Sequence, residues 1–213
     1  MTIDNLFDLL DDWRHLPAYQ LERRADIFFA IHLDVILFNL YGIKIDLIIP
    51  EFPVRIGEIS EKHSAINRSF KIDYLVYSNI SQKVLLIELK TDQLSLRDKQ
   101  QWYLESAKKI MLPGLLRGLK KIYAATSQKV KYNSLLERLE NVNWIQRVDN
   151  TFEIVCLEHE PEIIYIQPVN PISQPNVISF DDIIKTLEGS DNALTNRFIE
   201  SLEKWKTDTN KRL

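Results

Sequence analysis

The feature of this sequence that most constrains its fold is a pair of apolar segments, 70–77 and 83–90, separated by a short polar connection. Both segments are rich in aliphatic and aromatic residues, and a connection of this length favours an antiparallel hairpin. If the turn is centred between Ile80 and Ser81, the numbers of opposed residues add up to 161. Asp73 then lies directly opposite Glu88 on the neighbouring strand.

The second strand ends in two charged residues. Its apolar run is followed by Glu88, Leu89 and Lys90, and the period of two places Glu88 and Lys90 on the same face. Opposed carboxylates destabilise a sheet unless a proton or a cation lies between them. We therefore expect a divalent ion, Mg²⁺ or Mn²⁺, because carboxylate oxygens without thiolate or clustered imidazole suit these hard ions.

The amine of Lys90 fits the same chemistry. From the same face it can position a metal-bound hydroxide or stabilise negative charge that develops on a phosphate. The alternative is a purely structural arrangement of charges at the end of a strand. The position of the three groups, after a hairpin and before a capped helix, favours the functional interpretation.

The other segments predict an α/β core in the order α-β-β-β-α-β. The first helix is apolar almost all round from Ile27 to Phe38, which is typical of a helix buried on most sides. Ser95 gives a capping signal for the second helix, and Pro113-Gly114 is expected to end it. The predicted elements are a helix over 17–40, strands over 44–56, 70–77 and 83–90, a helix over 95–112 and a fourth strand over 121–126.

A single domain over 1–213 is expected from the length, with the core in 17–127 and additional elements in 128–213. For residues 128–213 the sequence predicts a helix over 133–139, strands over 152–156 and 163–167, and helices over 179–187 and 190–206. Leu194, Phe198, Leu202 and Trp205 form one stripe on the last helix. This stripe is expected to pack on the core, and a partner surface is the alternative.

The motif formed by Ile72-Asp73, fourteen intervening residues and Glu88-Leu89-Lys90 resembles the active site of the PD-(D/E)XK nuclease superfamily. The resemblance covers about residues 17–127, and Ile72 stands where the family often has proline. It implies a restriction-endonuclease-like fold with a mixed central sheet flanked by helices, and Mg²⁺-dependent hydrolysis of nucleic-acid phosphodiesters. It also implies that Asp73, Glu88 and the Leu89 carbonyl bind the metal and that Lys90 is catalytic.

Three further residues are candidates for the same site. Some superfamily members add an acid from the first helix, and Glu22 is the best match to that role. Glu51, near the end of the first strand, is a second candidate metal ligand, and a solvated acid is the alternative at both positions. Gln100 lies on the sheet-facing stripe of the second helix, three residues before Tyr103. The RecB-like branch is similar in having Gln and Tyr on the corresponding helix, at a different spacing.

The charge distribution suggests a nucleic-acid partner. As a separate prediction, DNA is favoured over RNA. The net charge is -3, but residues 61–140 hold 15 basic and 8 acidic residues. A local positive face attracts phosphates whatever the whole-chain charge, although an ordinary solvated helix face is the alternative. Trp102 and Tyr103 offer stacking surfaces for unpaired bases, with core packing as the alternative. The candidate phosphate contacts are Arg68, Lys71, Arg97, Lys99, Lys108 and Lys109.

Several other classes of protein are excluded or disfavoured. One cysteine, Cys156, allows no internal disulfide, and the start of the chain lacks a signal-peptide pattern, so a cytoplasmic protein is expected. No apolar run is long enough for a membrane span, and five glycines form no phosphate-binding loop. A non-catalytic nucleic-acid- or protein-binding member of the same fold is the alternative to a nuclease. A homodimer is a further possibility, since many double-strand cutters of this fold are dimers.

Overall fold

The computed structural model describes residues 2–60, 68–91, 98–170 and 173–207. The fold is α/β, with a mixed five-stranded sheet in the order β1-β2-β3-β6-β7, a two-stranded sheet of β4 and β5, and flanking helices. Within the described residues, no helix is long and apolar enough to cross a membrane. The helices are α1 (Ile3–Trp13), α2 (Leu21–Tyr41), α3 (Ile56–Ile59), α4 (Asp98–Lys109), α5 (Met111–Ala125), α6 (Lys129–Asn141), α7 (Phe180–Leu187) and α8 (Ala193–Thr207). The strands are β1 (Leu47–Arg55), β2 (Ser69–Ser78), β3 (Lys83–Leu89), β4 (Ile145–Val148), β5 (Thr151–Ile154), β6 (Glu162–Gln167) and β7 (Val177–Ser179).

The chain divides into two compact units. The first comprises Met1–Lys44, Leu89–Leu96 and Ile164–Leu213, and therefore contains α1, α2, most of β6, β7, α7 and α8. The second comprises Ile45–Glu88 and Arg97–Ile163, and contains β1, β2, most of β3, β4, β5 and the helices α3 to α6.

The hairpin of the second unit has the predicted register. β2 and β3 are antiparallel, and Tyr74 pairs with Ile87 and Tyr77 with Val84, so that the paired numbers add up to 161. β1 pairs antiparallel with the other edge of β2. The strands are buried almost throughout, since Leu75, Val76 and most of β3 have almost no exposed surface. The prediction of two paired strands in this alignment is confirmed.

The predicted strand over 121–126 is wrong, because these residues form the end of α5 and the residue after it. Pro113-Gly114 does not end the helical region either. Pro113 is the third residue of α5, where the missing backbone N–H is not needed by the helix. The buried residues of α5 follow the helical period: Leu112, Leu115, Leu116, Leu119, Ile122 and Tyr123. The α-β-β-β-α-β order therefore ends in a helix, and the strand beside β3 is β6.

The interpretation of the first long helix as buried on most sides is also wrong. α2 begins at Leu21 and ends before Gly42, whose left-handed φ of 67° terminates it. One face is buried in the first unit, but Ile27, Ile31 and Phe38 are more than half exposed. The remaining differences are smaller. α1, α3, β4 and β7 have no counterpart among the predicted elements, and the predicted cap at Ser95 lies outside the described residues.

The stripe on α8 is part of the core of the first unit. Phe198, Leu202 and Trp205 have no exposed surface, and Leu194 is partly exposed. Phe198 lies at the centre of an aromatic cluster, with ring centroids 5.1 Å from Phe29 and 6.3 Å from Trp205. The preference for core packing over a partner surface is therefore confirmed.

A polar network joins α1 to α8 within this unit. The buried Arg197 guanidinium donates to Asp8 at 2.8 Å and to Asp11 at 3.0 Å. Asp11 also accepts from Lys204 at 2.8 Å and from the Trp205 indole at 2.8 Å. Burial raises the pKa of Asp11, but these hydrogen bonds together outweigh it and hold the pKa below the usual 3.8.

The free energy of unfolding is expected to fall in acid because of Asp11. A carboxyl with a depressed folded-state pKa stabilises the fold above its unfolded pKa, and this stabilisation is lost as the pH falls through the folded value. Asp11→Asn should cost about 1–3 kcal/mol at pH 7, since Arg197 loses a charged partner. Thermal unfolding from pH 7 to pH 2 checks this. A variant whose unfolding temperature falls in acid as steeply as that of the native chain would contradict it.

Candidate active site

Glu88 is the buried acid of the second unit. It lies at the end of the apolar run of β3 with 1% of its surface exposed. Gln100, in the first turns of α4, donates a hydrogen bond from its side-chain amide to Glu88 Oε1. This hydrogen bond orients the Glu88 side chain.

Asp73 follows from the same strand register. Tyr74–Ile87 is the last pair of the β2–β3 ladder in this direction, and one further step places Asp73 opposite Glu88. Asp73 is partly exposed, between the buried Ile72 and Tyr74. Continued by one residue beyond the paired region, the register brings two carboxyl-bearing positions to the same end of the hairpin, one of them fully buried.

Glu51 is aligned with Asp73 from β1, the other strand beside β2. Pro50 pairs with Tyr74 and Phe52 with Ile72, so that Glu51 is the residue across from Asp73. Its φ of 52° is left-handed, which interrupts the extended backbone of β1, and its side chain is exposed. Its carbonyl accepts a bond from Lys71 Nζ at 3.5 Å. Among the described residues, no group of three or more His, Cys, Asp or Glu side chains is placed to hold a metal ion.

Lys90 is a buried basic residue of the first unit. Only 2% of its surface is exposed, and its ammonium donates to Glu22 Oε1 at 3.3 Å and to the Leu89 carbonyl at 2.9 Å. Its backbone N–H donates to the Ile166 carbonyl at 2.7 Å, which extends the pairing with β6. Glu22 and the Leu89 carbonyl, both predicted as metal ligands, thus contact the lysine ammonium.

The predicted phosphate contacts have different surroundings. Arg68 and Lys71 are exposed at the start of β2, and Lys109 is exposed at the end of α4. Lys108 forms an ion pair with Glu160 at 3.4 Å. Arg97 and the side chain of Lys99 lie outside the described part of the chain. Exposed basic side chains therefore lie before Asp73 in the chain, at Arg68 and Lys71, and after Gln100, at Lys109.

The two candidate stacking residues, Trp102 and Tyr103, also have different surroundings. Tyr103 stacks on Phe70 with ring centroids 4.9 Å apart and an interplanar angle of 14°. Trp102 is 48% exposed, and its ring lies 5.2 Å from that of Tyr103. Phe70 is three residues before Asp73, and Tyr103 is three residues after Gln100. Phe70 was not a predicted site residue, because nothing in the sequence distinguishes it from an ordinary strand residue.

No protein-family model, curated protein or solved structure matches this chain. The residues themselves are therefore the basis for any assignment of function.

Proposed function

We propose that this protein is a metal-dependent nuclease that hydrolyses phosphodiester bonds of nucleic acid, with DNA favoured over RNA. The observation that supports this most is the hairpin register, which, continued by one residue beyond the paired strands, aligns Asp73 with the buried Glu88 at the end of an apolar strand. Glu88 has almost no exposed surface, burial of an ionised carboxylate is costly, and Gln100 donates a hydrogen bond to it. Such an acid is a candidate for a functional site.

The donor set of Asp73 and Glu88 fits Mg²⁺ or Mn²⁺. These ions bind through one or two carboxylates and complete their coordination with water and substrate phosphate, so a third protein carboxylate is not required. When bound, the ion supplies Lewis-acid stabilisation of the phosphate and lowers the pKa of coordinated water. Gln100 orients Glu88 in this arrangement, and the Leu89 carbonyl, Glu22 and Glu51 are further candidate ligands.

Lys90 follows Glu88 by two residues and is proposed to stabilise negative charge on the phosphate. Its ammonium is already oriented by Glu22 and by the Leu89 carbonyl, which reduces the cost of ordering the side chain during the reaction. Arg68, Lys71 and Lys109 are proposed phosphate contacts and carry no base specificity. Arg97, Lys99 and Lys108 belong to the same basic segment and are proposed for the same role.

The test is a cleavage assay on labelled linear, circular and single-stranded DNA and on RNA, with Mg²⁺, Mn²⁺ or a chelator. Lys90→Met keeps the apolar stem and removes the ammonium, and we expect it to lower the cleavage rate by about 100-fold or more. Lys83→Met is the matched control, because Lys83 begins β3, the strand that Lys90 follows, and forms an ion pair with Glu162 on the surface. The control should cleave at the native rate.

Metal-dependent cleavage that Lys90→Met leaves unchanged would refute the role of Lys90. No cleavage with any metal, combined with salt-dependent DNA binding, would establish the alternative function, a non-catalytic nucleic-acid-binding protein.

A further inference from the structure

Three aromatic side chains of the second unit form one continuous cluster. Phe70, near the start of β2, stacks on Tyr103 of α4 with ring centroids 4.9 Å apart and an interplanar angle of 14°. The Trp102 ring lies 5.2 Å from the Tyr103 ring and is tilted by 59° against it. We call Phe70, Trp102 and Tyr103 the aromatic platform.

The platform lies at the surface of its unit and not in the core. Trp102 is 48% exposed, and Phe70 and Tyr103 are partly exposed. Trp144 and Trp205 show the contrast, since they are 2% and 0% exposed. One exposed aromatic residue is ordinary, whereas several exposed rings in mutual contact present a continuous apolar area that suits a binding surface.

The charges beside the platform favour an anionic ligand. Arg68, two residues before Phe70, and Lys71, the residue after it, are both exposed. The segment 68–71 contains these two cations and no acid. A ligand that fits this surface has a flat ring to stack on the platform and negative charges to meet the cations. A nucleotide chain has both, in its bases and its phosphates.

Stacking of this kind requires a base that is unpaired. In a duplex each base stacks between its neighbours, so that its faces are not available to a protein side chain. A base of a single strand, a loop or a frayed end can be splayed out and stacked on an aromatic ring. The platform therefore distinguishes single-stranded from double-stranded nucleic acid, whereas phosphate contacts alone do not.

The platform lies beside the residues of the proposed metal site. Phe70 precedes Asp73 on β2 by roughly 10 Å, because a strand rises about 3.3 Å per residue. Tyr103 follows Gln100 by three residues, a spacing that puts both on the same side of α4. Two elements of one unit thus each carry a residue of the platform and a residue of the proposed site.

We infer that the aromatic platform stacks an unpaired base of the substrate, and that the protein therefore acts on single-stranded nucleic acid or on unpaired segments of a duplex. Trp102 supplies the most exposed ring, and Arg68 and Lys71 contact the neighbouring phosphates. This inference deepens the proposed nuclease function and rests on it for the nature of the ligand. Its test is a binding measurement, which does not require cleavage.

Fluorescence anisotropy with a labelled oligothymidine and with a labelled duplex of equal length tests the platform. A chelator is present, so that metal-dependent cleavage does not occur. We expect the single strand to bind about 10-fold more tightly than the duplex at equal salt. Phosphate contacts alone predict the opposite order, because the duplex has the higher charge density.

Substitution of Trp102 separates stacking from other contacts. Trp102→Ala should weaken binding of the single strand by about 10-fold and leave binding of the duplex unchanged, whereas Trp102→Phe should restore it to within about 3-fold of the native value. Trp13→Ala is the matched control, because Trp13 is 42% exposed on α1 in the first unit. The control should leave the affinity for both nucleic acids unchanged.

The salt dependence of single-strand binding gives a second readout. Stacking releases no counterions, so Trp102→Ala should weaken binding by the same factor at every salt concentration. Arg68→Gln should instead lower the slope of log Kd against log salt concentration by about 0.7, the value for one phosphate contact on a single strand.

Equal affinity for the single strand and the duplex overturns the inference, and so does a Trp102→Ala variant that binds the single strand as the native chain does. A Trp102→Phe variant as weak as Trp102→Ala also overturns it, because the contact is then not stacking. The proposed function fails separately. Single-strand binding that depends on Trp102, without cleavage in any metal, refutes the nuclease and supports the platform.

Discussion

Glu88→Gln is expected to lower metal-dependent cleavage by about 1000-fold while changing the free energy of unfolding by less than about 1 kcal/mol. The change removes one charge and leaves the volume and shape of the side chain. The new amide still presents a carbonyl oxygen to Gln100, so the contact that orients the residue is kept. An amide oxygen is a much weaker ligand for Mg²⁺ than a carboxylate. The loss of cleavage in Glu88→Gln should therefore result from the loss of the carboxylate charge and not from a change in the shape of the side chain.

The measurement combines cleavage rates with isothermal calorimetry using Mn²⁺ and with thermal unfolding. Glu105→Gln is the control, because Glu105 is an exposed acid on α4, one turn after Gln100 and Gln101. The control should retain the native rate and the native metal affinity. A Glu88→Gln variant that binds Mn²⁺ and cleaves as the native chain does would remove Glu88 from the site and with it the main support for the proposed function.

Trp205→Ala is expected to destabilise the protein by about 3–5 kcal/mol. Trp205 has no exposed surface, its ring contacts Phe198 at 6.3 Å between centroids, and its indole donates to Asp11 at 2.8 Å. The truncation leaves a cavity in the aromatic cluster and removes a hydrogen bond from a carboxylate that is shared with Arg197. For a chain of this length, such a loss lowers the unfolding temperature by roughly 10 °C.

Trp102→Ala is the matched control for this prediction. Trp102 is 48% exposed on α4, and its removal should cost less than about 1 kcal/mol. Thermal unfolding followed by circular dichroism compares the two variants directly. Equal and small shifts would show that the α8 side chains contribute less to the core than their burial indicates.

The hairpin was predictable because its constraints are local. The length of the connection fixes the pairing, and the period of two then fixes which residues are opposed, so that Asp73 and Glu88 could be aligned from the sequence. The Gln100 contact was partly accessible for the same reason, since helical spacing placed Gln100 on the stripe that faces the sheet.

The errors arise where a local pattern has two solutions. Residues 121–126 form a short apolar run, which by its period alone fits a buried strand or the last turn of a helix. Pro113 signals the end of a helix, but the first turn of a new helix tolerates it equally well. Gly114 allows that turn to form closely, since a Cβ there would lie 2.7 Å from Cβ of Ile110.

α2 shows a different limit of prediction. Apolar residues on every side of a helix indicate that each side is covered, but they do not show whether the cover belongs to the same chain. Phe29 and Leu33 are covered by the first unit, whereas Ile31 and Phe38 are exposed. The sequence pattern therefore predicted burial for most of α2, although one of its two faces is exposed.

The division of the chain has a consequence for biosynthesis. The first unit takes α1 and α2 from one end of the chain and α7 and α8 from the other, and the ion pairs of Arg197 with Asp8 and Asp11 join residues more than 180 positions apart. Contacts of such high sequence separation form late and slowly. During translation the apolar side chains of α1 and α2 that pack against α8 are therefore covered only after Phe198 and Trp205 have been synthesised.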